Sequence, residues 1–246
     1  MRFEVEGWAI FRAEDATLRW AEAVLPLAQA ALKTSERRHG RTWAPGVDLL
    51  DNNAAGAIPN GPPFQGAALA KAQSLAAPLA LHRAQISAVW PGYPQRDTGE
   101  SAANHRYRAM RDAAHIDGLL PEGPNRRRHL REAHAWVLGI GLSDTKAAPL
   151  VLWPGSAAIF RAAFQRFYSP HSDAHWGTLD VTDLYQSTRR TVFETCARIE
   201  VPLGLGEAVL LDRHMLHGTA PWRDSAEGCR ITAFFRPELT QVADWV

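Results

Sequence analysis

The chain has 246 residues, 46% of them hydrophobic and 22% charged, with a formal net charge of +1. That length is enough for one large domain with a well-buried core, and the near-neutral charge gives no global attraction to nucleic acid or to an anionic membrane. The N-terminal stretch breaks its apolar positions with Arg2, Glu4, Glu6 and Arg12, no apolar run reaches the length of a membrane span, and Cys196 and Cys229 stand in no CxxC arrangement. A reduced, cytoplasmic protein without a signal peptide is therefore expected.

Residues 13 to 36 read as a helix, because Leu18, Ala21, Leu25 and Ala28 recur at roughly helical spacing, with Pro26 as the one objection. Residues 41 to 66 are rich in Gly, Pro and Asn and read as a loop with a short strand around Val47 to Leu50. A second, alanine-rich helix is expected over 67 to 80. The texture then changes to strands at 82 to 94, 106 to 118, 133 to 144 and 149 to 156, with helices at 156 to 168 and 181 to 197. Two more strands follow, split by Gly204 and Gly206, and 229 to 238 closes the series. Helices first and then about seven short strands suggest a β-sandwich or barrel with helical packing. No internal repeat or linker divides the chain, so one domain is expected over 1–246, its helical part (1–81) packing on a core at 82–238.

His115 and Asp117 stand two residues apart, a spacing that puts both side chains on one face of a strand. About a hundred residues later, "LLDRHMLHGTAPW" at 210 to 222 offers His214 and His217. Two histidines and one carboxylate form the facial triad of non-haem Fe(II) oxygenases, which leaves coordination positions open; a third histidine or a set of thiolates would suit zinc better. His214 is the rival third ligand, although on an extended strand it faces away from the side that His217 occupies. Arg230, thirteen residues past His217, is a guanidinium able to grip a carboxylate through two parallel hydrogen bonds. Thr219 could add a hydroxyl to the same group.

These residues, with "LGIGLSDTKAAPLVLWPGS" between them, resemble the phytanoyl-CoA dioxygenase branch of the Fe(II)/2-oxoglutarate-dependent oxygenases. The resemblance covers about residues 82 to 238 by the order and spacing of four elements: HxD, a "PL…PGS" segment, a "D…HG" segment and a following arginine. It departs at Ala157, where relatives commonly carry histidine, and at "APL" in place of "GPL". It implies a mainly β fold with flanking helices, built on a double-stranded β-helix (jelly-roll, cupin-like) core. It also implies Fe(II) bound by His115, Asp117 and His217, and 2-oxoglutarate bound by Arg230 and Thr219; Trp136, on the strand after the basic run, is read as a wall of the cosubstrate pocket. The implied activity is hydroxylation of a small molecule by dioxygen, since halogenating relatives replace the aspartate with a small residue.

Several residues keep two readings. Arg236 is either a second anion contact or a solvated strand end beside Pro237. The basic run at Arg126, Arg127, Arg128, His129 and Arg131 is either a solvated face or the mouth of a pocket for an anionic substrate. Tyr107 either faces the pocket or does not, and Trp90, Tyr93 and Trp153 belong to the cavity or to the core. The rival to the whole functional reading is a non-catalytic or 2-oxoglutarate-independent cupin-like metal-binding barrel.

Overall fold

The computed structural model of the chain describes residues 2–76, 78–223 and 228–246. The strands in chain order are β1 (Trp8–Phe11), β2 (Trp43–Ala44), β3 (Gln85–Val89), β4 (Leu119–Glu122), β5 (Arg127–Leu130), β6 (Trp136–Gly141), β7 (Leu150–Leu152), β8 (Ile199–Val201), β9 (Ala208–Asp212), β10 (His217–Thr219) and β11 (Arg230–Phe235). The α-helices are α1 (Arg2–Glu6), α2 (Asp15–Leu32), α3 (Ala67–Gln73), α4 (Ala102–Met110), α5 (Ser156–Tyr168) and α6 (Thr182–Thr195).

Six strands pair antiparallel in the order β1-β9-β6-β11-β3-β2, and three more in the order β10-β7-β8. Strand alternation assigns each face its role. From the large sheet, Ile86, Ala88, Leu138, Ile140, Ile231 and Phe235 point outward into a core shared with the buried stripe Trp20, Ala21, Val24, Ala28 and Leu32 of α2. From the small sheet, Val151 points the other way, into a second core with Phe160 and Phe164 of α5 and Tyr185 and Val192 of α6. Between the sheets, Val137, Val209 and Leu211 meet Leu150, Leu152 and Val201. The result is two facing antiparallel sheets with helices on both outer sides, a double-stranded β-helix.

Several elements differ from the expectation. Residues 106 to 118 are not a strand: α4 occupies 102–110, its N-cap Ser101 accepting from the Asn104 amide. Pro26 sits inside α2 on its exposed side, where the missing N–H faces solvent. The short strand expected at 47 to 50 lies instead at β2. Strand β1, at the edge of the large sheet, and the β4–β5 hairpin lie in segments for which no strand was expected.

Candidate metal centre

His115 and His217 are an antiparallel pair that exchange both backbone hydrogen bonds, His115 N to His217 O at 2.8 Å and His217 N to His115 O at 2.9 Å. Their side chains therefore emerge side by side on one face, with ring centroids 4.6 Å apart. Two residues on, Asp117 returns to the same face, while Ile116 between them points into the core beneath α5 and α6. Asp117 Oδ1 lies 3.4 Å from His115 Nε2, and its Oδ2 lies 3.8 Å from His217 Nε2. All three ligand atoms fall within 4.8 Å of one another.

The chemistry of these donors suits a divalent metal. Each histidine Nδ1 sits 2.9 Å from a backbone carbonyl two residues earlier, Ala113 O for His115 and Met215 O for His217. A carbonyl only accepts, so Nδ1 carries the hydrogen and the Nε2 lone pair is left facing Asp117; this is how ligating histidines are commonly held. Burial pushes His217 down to about 4 against the pull of Asp117, so its imidazole is neutral. Burial alone would raise Asp117, but the Arg236 guanidinium opposes it and the carboxyl is held well below the usual range. Two imidazoles and one carboxylate fit Fe(II) with room for other ligands.

Glycines flank the ligands where backbone passes close. A Cβ on Gly218 would stand 2.1 Å from Asp112 O, and one on Gly118, at φ +82°, would stand 2.1 Å from Glu132 O. Gly218→Ala is accordingly expected to cost about 1–3 kcal/mol, the usual range for forcing extra volume into a packed site. It should weaken metal binding as well, which thermal unfolding and a metal titration of the same sample would check.

The triad opens onto a cavity of about 250 Å³ between the sheets. Gln85 and Ser87 of β3, Val137 of β6, Leu150 of β7, Thr219, Phe234, Trp43 and Tyr93 line it. Arg230 is buried and has no carboxylate partner among the described residues, and its Nε has no hydrogen bond. Burial lowers it to about 10, with Tyr93 opposing, so it stays cationic at neutral pH. It borders an adjoining space of about 10 Å³ that shares Leu150 and Phe234 with the main cavity.

The other anticipated residues divide. Arg236 lines the cavity, its Nη1 3.5 Å from Asp117 Oδ1 and its Nε without a hydrogen bond. Trp136 does not line the cavity: on β6 it shares the outward face with Leu138 and Ile140 and packs in the helix-covered core, while Val137 faces inward. Tyr107 donates to Ala114 O at 2.7 Å beneath α4 and lies under the Arg189 guanidinium, away from the cavity lining. Arg126 is an exposed turn residue, and Arg127 pairs with Asp180 at 3.1 Å and Asp183 at 3.6 Å. The rest of the basic run is engaged in the same way, Arg128 over the Tyr185 ring and Arg131 on Glu122. His214 is fully buried at the edge of the Trp245 ring.

Among residues not anticipated, Gln85 and Ser87 alternate with Ile86 and Ala88, a polar-inside pattern on β3 that the sequence already displays. Trp43, stacked on His39 with ring centroids 5.2 Å apart, carries no local signal of its role.

No protein-family profile matches the chain, and no curated protein does. Among solved structures, it is similar to the non-haem alpha-ketoglutarate-dependent carbocyclase SnoK of nogalamycin biosynthesis, at 15% identity and a TM-score of 0.53 over 96% of this chain and 81% of that one. It also matches AviO1 from Streptomyces viridochromogenes Tue57 (14% identity, TM-score 0.49, 97% and 92% covered). A third match is HygX from Streptomyces hygroscopicus with nickel, 2-oxoglutarate and hygromycin B bound (14%, 0.47, 97% and 85%). At 15% identity, the SnoK likeness establishes the shared fold.

Proposed function

We propose that this protein is a non-haem Fe(II)- and 2-oxoglutarate-dependent dioxygenase that hydroxylates a small molecule. The observation that carries the reading is the pairing of two features. A His-His-Asp triad with free Nε2 edges opens on the cavity, and Arg230, beside a space that shares Leu150 and Phe234 with that cavity, is a buried guanidinium with no carboxylate partner among the described residues. A buried unpaired charge is costly, and a dicarboxylate cosubstrate supplies the missing partner. In this reading His115, Asp117 and His217 hold Fe(II), and Arg230 with Thr219 holds the distal carboxylate of 2-oxoglutarate.

With dioxygen, the iron centre supplies oxidative decarboxylation, in which 2-oxoglutarate, O₂ and a substrate C–H yield succinate, CO₂ and the hydroxylated product. The chain's own part is orientation. Leu150 and Phe234 line both the main cavity and the space beside Arg230. Met215 O and Ala113 O hold the imidazoles by their Nδ1 atoms, and Trp43 and Tyr93 add aromatic surface to the cavity wall. Of the residues anticipated as substrate contacts, Arg236 lines the cavity while Tyr107, Arg126 and Arg127 lie elsewhere, so among them an anionic substrate would meet Arg236. The order of the four sequence elements favours the phytanoyl-CoA dioxygenase-like branch, over one domain spanning 1–246. Two free cysteines are in keeping with a cytoplasmic location, and no helix among the described residues is long and apolar enough to cross a membrane.

The direct test supplies the protein with Fe(II), 2-oxoglutarate and oxygen and measures succinate. Succinate that depends on all three is expected. Its absence from a protein that demonstrably binds iron would favour a 2-oxoglutarate-independent metal-binding barrel instead.

A further inference from the structure

We propose that Asp112 and Arg198 form a positioning pair that holds the segment bearing His115 and Asp117 in its ligating geometry. This rests on the metal reading above. The segment is not a strand; the His115–His217 bridge is its one sheet-like contact among the described residues. Just before it, Asp112 and Ala113 both take left-handed backbone, at φ 54° and 53°. Side-chain-bearing residues persist there only where the surroundings over-determine the conformation.

Asp112 is gripped at both ends. Its carbonyl accepts from the Thr219 amide at 2.9 Å and lies against Gly218. Its carboxylate, 5% exposed, accepts both arms of the Arg198 fork, Nε at 2.7 Å and Nη2 at 2.8 Å. Arg198 also donates from Nη1 to Glu200 of β8 at 2.8 Å, so the fork ties the ligand-bearing segment to the sheet that carries His217. Asp112 lines the same cavity as the triad, yet with both oxygens on Arg198 it is held apart from the ligand set.

The two roles open to this pair predict opposite signs. If Arg198 acts only through charge, removing it leaves an extra carboxylate near the metal, and a dication should bind as well or better. If the pair positions the segment, removing it should weaken binding. The experiment titrates metal-free protein with Co(II), reading affinity by chelator competition and coordination by the visible ligand-field spectrum. Arg198→Gln is expected to bind Co(II) about 10–100-fold more weakly, the range typical for loss of an outer partner, with an altered spectrum. Arg198→Lys, which keeps the charge and loses the fork, should fall between Gln and parent. Parental or tighter affinity in Arg198→Gln would overturn the proposal. Should that variant fail to fold, a Lys variant with parental affinity and spectrum would overturn it equally. A parent that binds no Co(II) would sink the metal reading, and the pair's role with it.

Discussion

His217→Ala is expected to lower Fe(II) affinity by more than about 100-fold, beyond the upper end of what outer-partner substitutions cost, while leaving the fold in place. In the proposed site the histidine is one of three protein donors. His214, the near neighbour in sequence, is buried on the far side against Trp245. The structural cost is smaller, because the variant loses one hydrogen bond to Met215 O, a contribution of about 1 kcal/mol, together with some packing. Isothermal titration of metal-free protein beside thermal unfolding separates the two effects. His214→Ala should show the reverse pattern, with near-parental metal affinity and lower stability. Retained affinity in His217→Ala would move the third ligand elsewhere.

Arg230→Met has a two-signed expectation. In the absence of cosubstrate, it removes a buried cation that has no carboxylate partner among the described residues. Replacing a buried charge by an apolar side chain of similar length is often neutral or stabilising by about 1–4 kcal/mol, so the apparent melting temperature should hold or rise. In the presence of 2-oxoglutarate, the same change removes one partner of a buried charge pair, which typically costs about 2–5 kcal/mol, or thirty-fold and more in Kd. A variant that is both less stable and unchanged in 2-oxoglutarate affinity would show that Arg230 is a structural residue rather than the carboxylate anchor.

The chemistry was more legible in the sequence than the scaffold around it. The convergence of His115, Asp117 and His217 was readable because candidate ligand types are few and residues two apart on extended backbone share a face. The long-range fact that mattered, the pairing of His115 with His217, needed only the order of the segments. Trp136 failed for a physical reason. β6 is apolar on both faces, because helices cover one side and the facing sheet the other, so alternation does not say which residue looks inward. Of the two readings of the basic run, the engaged surface was not decidable locally, because the partners of Arg127, Asp180 and Asp183, lie just before and at the start of α6, some fifty residues later. The helix at 102–110 did leave a local trace in the Ser101 cap, masked by the alternation of Arg106, Tyr107 and Arg108 that also fits a strand.

The most direct test of the central claim is an anaerobic titration. Metal-free protein receives Fe(II) and then 2-oxoglutarate, and the visible spectrum is searched for the weak charge-transfer band of a 2-oxo acid chelated to iron. The account predicts a band in the parent that is lost in His217→Ala and that needs far more 2-oxoglutarate in Arg230→Met. No band in a parent with iron demonstrably bound would contradict it.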